Sequence, residues 1–254
     1  MMAATDPIYC RHIVYLVGPN TLPNALIEEM SKRNFLFLSS EQEYRSIGHY
    51  HNEGFNRAET DWVMKLDVDA LPHEEYFQAM LDRIIHAEHR EWFNGGMLYL
   101  HRGASAGMLQ LDQLPITRDR HHYIARNIKQ FSSSSYQLPA ATNFACRKKD
   151  YFSFGGTDDR FRGWGWEDYM VIYMLERLWR GVDPLAGEVN FHNVTRRCRD
   201  EIGRPRSAEL YRRDDRLALL HHWHPVSKDP KYKNEEQSNR NKQILLERIL
   251  NSRK

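Results

Sequence analysis

The chain reads as an α/β protein, and three observations predict it. Short β-rich apolar runs alternate with segments of helical periodicity. The first two runs, 13–17 and 35–38, are separated by one helical segment at 21–33, a spacing that implies parallel strands joined by a right-handed crossover. A third run, 62–66, ends in Asp67-Val68-Asp69, and open α/β sheets bind ligands just beyond the carboxyl ends of their strands.

Each element follows from its residues. Ile13-Val14-Tyr15-Leu16-Val17 is closed by the turn residues Gly18-Pro19-Asn20. Leu22, Leu26, Ile27 and Met30 give 21–33 its helical stripe. Residues 45–60 are polar and read as a loop entering a helix, with Asn52-Glu53-Gly54-Phe55-Asn56 inside it. In strand 62–66 side chains alternate, so Asp67 and Asp69 point one way and Val68 the other, and two carboxylates can face one cation. A solvated turn before Leu71-Pro72 would contain the same residues.

Residues 73–88 read as an amphipathic helix with Tyr76, Phe77, Met80, Leu81, Ile84 and Ile85 as its apolar stripe. Residues 92–100 form a strand kinked at Gly95-Gly96. The stretch 101–137 mixes Gly, Ser, paired histidines and isolated apolar residues, and a connection that long is expected to act as a lid. A short strand at 142–146 and a helical turn at 148–152 precede a clear helix at 168–180, whose Met170, Val171, Met174, Leu175 and Leu178 face the core. Residues 196–216 hold eight arginines against five acids, which is either a solvated helix laced with i,i+4 pairs or a face for phosphates. Residues 217–220 form a last strand, ending in His221-His222-Trp223-His224-Pro225, and 234–250 become helical.

The totals narrow the function classes. A chain of 254 residues fits one α/β domain spanning 1–254. With 36 basic and 34 acidic side chains, the net charge of +2 creates no global field for nucleic acid or membrane. Cys10, Cys146 and Cys198 are widely spaced and form no CxxC pair, so neither a disulfide framework nor a zinc knuckle is expected. No apolar run approaches the roughly 20 residues that span a bilayer. No signal-peptide pattern opens the chain, and a soluble, cytoplasmic protein is expected.

The most unusual stretch is Gly163-Trp164-Gly165-Trp166-Glu167-Asp168. Acids favour a helix N-terminus, so part of it is explained as a cap. Two indoles beside glycines are not, and they offer flat apolar platforms next to carboxylates that can take a proton.

Asp67-Val68-Asp69 at a strand end, Gly163 to Asp168 about a hundred residues later, and the cluster His221 to His224 near the C-terminus occur in the order found in metal-dependent GT-A glycosyltransferases. The chain most closely resembles the β-1,4-galactosyltransferase group and related bacterial capsule and chondroitin polymerase domains. The likeness covers about 45–245, starting with Asn52 before the strand and ending with Asn234, Asn239 and Asn241. Gly18-Pro19-Asn20 stands where that group carries an arginine-rich loop.

The resemblance implies a mixed, mainly parallel central sheet flanked by helices. It divides the chain into a Rossmann-like nucleotide-sugar half at about 8–100, an acceptor half at about 101–225 and a tail at 226–254. A UDP-sugar donor and Mn²⁺ or Mg²⁺ are implied as well. Asp69, His224 and His221 would hold the cation, while His222 breaks the spacing and would support by packing. Asp67, Asn52, Arg45, Gly165, Trp164 and Trp166 would contact substrates, a tryptophan stacking on a sugar ring. Asp168 would be the general base of an inverting transfer, its pKa raised by neighbouring Glu167 and a tryptophan-lined site. Glu167 would hold sugar hydroxyls. The acceptor is a glycan, or, if the arginine-rich segment grips phosphates, a hydroxymethylated base in DNA. The remaining alternative is a carbohydrate-binding protein of the same fold that turns nothing over.

Overall fold

The computed structural model describes residues 12–17, 23–32, 35–40, 46–67, 69–109, 116–131, 143–163, 165–187, 190–203, 205, 214–223 and 234–253. The chain opens with β1 (His12–Val17), α1 (Asn24–Ser31) and β2 (Phe35–Ser40), and β1 pairs with β2 in parallel, as the short crossover requires. Helix α1 is shorter than its periodic pattern because Pro23, at φ −53° and ψ 135°, stands outside the helix and sets its start. Ser46 begins α2 (Ile47–Arg57) by accepting the backbone N–H of His49 at 2.8 Å.

Next come β3 (Trp62–Lys65), β4 (Ala70–Leu71), α3 (Tyr76–Ile85), β5 (Phe93–Asn94) and β6 (Gly96–Tyr99). The described residues of the 101–137 stretch, expected to act as a lid, form three helices, α4 (Arg102–Leu109), α5 (Arg118–Arg126) and α6 (Ile128–Phe131). Then follow β7 (Phe144–Arg147), α7 (Lys148–Ser153), α8 (Glu167–Arg180), α9 (Phe191–Arg197) with a π-helical turn over 198–203, β8 (Ala218–His221) and α10 (Glu235–Ser252).

The described ladders are mixed, as expected of this α/β fold. Two are parallel, β1–β2 and β6–β8, whereas β3–β7, β5–β7 and β4–β8 are antiparallel. The late strand β7 inserts between β3 and β5 and runs against both, setting Lys65 opposite Phe144 and Trp62 opposite Arg147. Sequence order alone does not reveal such an insertion.

Two three-stranded groups result, β3-β7-β5 and β4-β8-β6, and the chain passes from the first to the second three times, twice through a short connection. One passage is the turn after β3 that holds Asp67 and Asp69. The other is Gly95, which divides the predicted 92–100 strand into β5 and β6. A Cβ on Gly95 would lie 3.2 Å from the Tyr76 hydroxyl, which explains a glycine at this crossing.

Helix α8 supplies the main core. Met170, Val171, Met174 and Leu175 are buried in a cluster with Val63, Trp92, Phe144, Tyr151, Ile244 and Leu245, so α8 bonds the sheet to α10. Its buried Glu176 accepts a 2.9 Å hydrogen bond from the Trp92 indole and pairs with Arg180, satisfying a charge that burial would otherwise penalise. Tyr76, Phe77 and Met80 of α3 pack on Met97 and Leu219 in a second cluster, whereas Ile85 is 68% exposed and lies beyond the helix's apolar stripe. Cys146 and Cys198 are buried free thiols, and Cys10 lies outside the described residues.

On α5, the ring of fully buried His121 sits 5.1 Å from that of His73 and 6.5 Å from that of His122. Burial, reinforced by those two histidines, lowers the His121 pKa to about 3. An unfolded histidine titrates near 6.5, so the stability contributed by neutral His121 is complete above that pH and is lost as pH falls towards 3, at up to about 1.4 kcal/mol per pH unit. His121→Phe is therefore expected to flatten the fall in urea midpoint between pH 6.5 and 5. An unchanged slope would remove His121 from the account.

Candidate active site

The site is assembled at the first passage between the two strand groups. The Asp67 carbonyl accepts from the Ala70 N–H at 3.0 Å, closing the turn, and the Asp67 N–H donates to the Asn143 side chain at 2.9 Å just before β7. From the other group, the His222 N–H donates to the Asp69 carbonyl at 2.8 Å, and Ala70 stands opposite His221 in the β4–β8 ladder. The backbone thus brings the acidic turn against the histidine cluster, as the motif order led us to expect. Asp69 Oδ2 lies 3.3 Å from His221 Nε2.

Donor atoms on neighbouring corners of an octahedron with bonds of about 2.1 Å lie about 3 Å apart, so this carboxylate–imidazole pair fits a divalent cation that completes its shell with substrate oxygens or water. Among the described residues no group of three or more His, Cys, Asp or Glu side chains is arranged to hold a metal, and His224 lies outside them. His222 supports the turn through its backbone.

The second half of the site is the start of α8. Gly163, Gly165 and Trp166 all have positive φ, at 62°, 97° and 81°. For tryptophan that conformation is strained, and strain of this kind persists only where surrounding contacts enforce it. Here the indole N–H donates to Ser238 on α10 at 2.9 Å, the ring lies 5.5 Å from the Lys242 ammonium, and Tyr169 packs beside it. Asn241 of α10, fully buried, holds the same loop by donating to the carbonyls of Arg162 and Gly165 at 2.8 and 3.1 Å. The asparagine-rich tail is thus the brace of the Gly/Trp stretch, and the contacts of Trp166 are those of an anchor.

So braced, the loop places Glu167 and Asp168 in the first turn of α8. Lys65, the last residue of β3, reaches across from the acidic turn. Its Nζ donates to Asp168 Oδ1 at 2.9 Å and lies 3.4 Å from Asp67 Oδ1, with only 11% of its side chain exposed. Burial opposes the lysine charge, but Asp168, Asp67 and Glu167 together outweigh it and raise its pKa. Glu167 is 5% exposed, and its Oε2 has no hydrogen-bond partner among the described residues. Burial, then the charge of Asp168, pushes its pKa up to about 8 against the pull of Lys65. The carboxyl that holds its proton near neutral pH is therefore Glu167, while Asp168 is the one bonded to the cation. Burial also raises Asp67, with Asp168 and Asp69 adding to it and Lys65 opposing.

Sequence reasoning overlooked three residues here. Lys65 ends β3 two residues before Asp67, so the period of two that grouped Asp67 with Asp69 would have included it, and that was a usable signal. Tyr99 packs its ring 4.3 Å from that of His221, and its hydroxyl is raised to about 12, by burial first and then by Asp67, Asp69 and Asp168. Asn143 gave no signal, because its role depends on where β7 inserts.

Other expected residues fall elsewhere. The Asn52 amide is engaged by the 151–159 turn. It donates to the Thr157 carbonyl at 2.7 Å and to Asp159 at 3.1 Å, and it accepts from Tyr151 at 2.8 Å and the Thr157 N–H at 3.0 Å. Those bonds make Asn52 part of the scaffold of that turn. Arg45 and Trp164 lie outside the described residues. Arg197 pairs with Glu201 at 2.8 Å and Arg216 with Asp214 at 2.6 Å, as the solvated i,i+4 reading of the arginine-rich segment foresees in part.

An α/β fold that gathers carboxylates beyond a strand end and at a facing helix start has them where open α/β sheets bind their ligands. Residues 22–246 match the model of the family described as glycosyltransferase like family 2, and the chain belongs to that family. No curated protein matches it. The family supports glycosyl transfer, and among the described residues no helix is long and apolar enough to cross a membrane.

Proposed function

We propose that the protein is a divalent-cation-dependent, inverting glycosyltransferase that moves a hexose or N-acetylhexosamine from a UDP-sugar to a hydroxyl of a glycan. The observation that carries this reading is the gathering of Asp67, Glu167 and Asp168 around Lys65, beside the Asp69–His221 pair on the same turn as Asp67. Asp69 and His221, with His224, are the residues to hold Mn²⁺ or Mg²⁺, which when bound offsets the negative charge that builds on the departing diphosphate.

The chain's own residues do the rest. Asp168 accepts the proton of the acceptor hydroxyl as that oxygen forms its bond to the anomeric carbon. The bond from that carbon to the diphosphate breaks on the opposite face, and the configuration inverts. Glu167, carrying its proton near neutral pH, donates a hydrogen bond to a sugar oxygen from a buried position where such a bond is strong. Asp67 faces the donor, and Trp164 and Gly165 line the sugar site, with Trp164 as the stacking platform.

The reading predicts a thermal shift. Saturating UDP with Mn²⁺ at a hundred times its dissociation constant adds about 2.7 kcal/mol to stability. For a chain of this size that raises Tm by roughly 5–10 °C. Asp69→Ala is expected to remove most of the shift while leaving the unliganded Tm within a few degrees. A wild-type protein whose Tm is unmoved by UDP or GDP with either cation would contradict the reading.

A further inference from the structure

Among the described residues, Lys65 is a largely buried cation that touches both halves of the site described above. Its ammonium bonds Asp168 at 2.9 Å and lies 3.4 Å from Asp67, and the adjacent carboxyl on the helix, Glu167, is buried with its Oε2 making no hydrogen bond among the described residues. Three carboxyls so close together cannot all be charged without repulsion, and the group nearest a cation keeps its charge at the expense of the others. We propose that Lys65 is a positioning residue that fixes Asp168 as the charged member of the Glu167–Asp168 pair and aims it at the acceptor hydroxyl. This rests on the glycosyltransferase reading, in which Asp168 is the base.

The geometry explains why a lysine serves here. A 2.9 Å charge-assisted bond to Oδ1 fixes the carboxylate's rotation and leaves Oδ2 to receive the proton. The weaker 3.4 Å approach to Asp67 ties that orientation to the turn that faces the donor. Glu167 receives no such bond, so the proton shared by the adjacent carboxyls resides there. Without the lysine, three neighbouring carboxyls would face one another with no cation bonded to Asp168, and a carboxyl that keeps its proton is no base at all.

The test compares Lys65→Met, which keeps length and removes charge, with Lys65→Arg, which keeps charge. Nucleoside diphosphate release from UDP-sugars with Mn²⁺ gives kcat, KM and the pH profile. ¹³C-carboxyl NMR of the unliganded protein gives the Asp168 titration directly, without turnover. Lys65→Met is expected to lower kcat at least about thirtyfold with donor KM within about threefold, to move the acidic limb of the kcat/KM profile up by one pH unit or more, and to move the Asp168 titration the same way. Lys65→Arg is expected to recover most of kcat. A Lys65→Met protein with an unmoved limb and an unmoved Asp168 titration overturns the positioning role even if it is slower, since a merely structural loss would do that. A wild-type protein that transfers from no donor overturns the underlying reading instead, and that result precedes any comparison of variants.

Discussion

Asp168→Asn is expected to lower the transfer rate by about a hundred- to ten-thousandfold, the range that one general base supplies. The substitution keeps the shape of the side chain and its place in the first turn of α8, so the core contacts of Met170 and Val171 are left in place. It removes the carboxylate that Lys65 bonds at 2.9 Å. The donor side is a different set of residues, Asp69 and His221, and the shift in Tm produced by UDP and Mn²⁺ is therefore expected to survive. Loss of transfer together with loss of that shift would mean that Asp168 acts on donor binding. Transfer at the wild-type rate would place the base elsewhere.

The largest expected effect on stability comes from Gly156→Ala. Gly156 has φ 68°, and a Cβ built there would lie 2.4 Å from Asn52 Oδ1 and 2.9 Å from a ring carbon of Tyr151. Left-handed backbone costs a residue with a Cβ about 1–2 kcal/mol, and overpacking a filled site costs about 1–3 kcal/mol more. The neighbours cannot give way cheaply. The Asn52 oxygen is held by the Tyr151 hydroxyl and the Thr157 N–H, and Tyr151 is fully buried in the cluster under α8. We expect a loss of about 2–5 kcal/mol, read as a fall of roughly 5–15 °C in Tm. A change below about 1 kcal/mol would show that the Asn52 clamp is looser than its four hydrogen bonds imply.

These two positions also show which parts of the molecule were legible in the sequence. The strand ending in Asp67-Val68-Asp69, the helix behind Glu167-Asp168 and the strand ending in His221 were legible, because periodicity and terminal residues are local signals. The expected same-side placement of Asp67 and Asp69 rested on the strand's period of two, whereas β3 ends at Lys65 and both lie in the turn after it; the same rule applied one step earlier would have included Lys65. What was not legible depends on distant partners. Asn52 meets Thr157 across 105 residues, Trp166 meets Ser238 across 72, and Lys65 meets Asp168 across 103. No local pattern encodes those meetings. They arise from the insertion of β7 between β3 and β5 and from the docking of α10 on α8, both of which are tertiary events. The bonds of Asn52 to the 151–159 turn and of Trp166 to α10 were therefore not legible in the sequence.

The same distinction bears on the strained loop. A tryptophan at φ 81° is tolerated because Ser238, Lys242 and Asn241 fix the segment around it, and the result is a rigid entry into α8 that presents two adjacent carboxyls. Rigid presentation matters for a base, since misplacement by about 1 Å can cost about a hundredfold in rate. The helix-cap role of Glu167 and Asp168 and their chemical role are compatible, because charge that suits the N-terminal dipole of α8 is the charge a base requires.

The most direct measurement is nucleoside diphosphate release from a panel of UDP- and GDP-sugars with Mn²⁺ or Mg²⁺, run on the wild-type protein and Asp168→Asn side by side, with hydroxyl acceptors added. The account predicts cation-dependent release from at least one UDP-sugar by the wild type, faster with acceptor, and its near-complete loss in Asp168→Asn. A folded wild-type protein that releases nothing from any donor with either cation would contradict it.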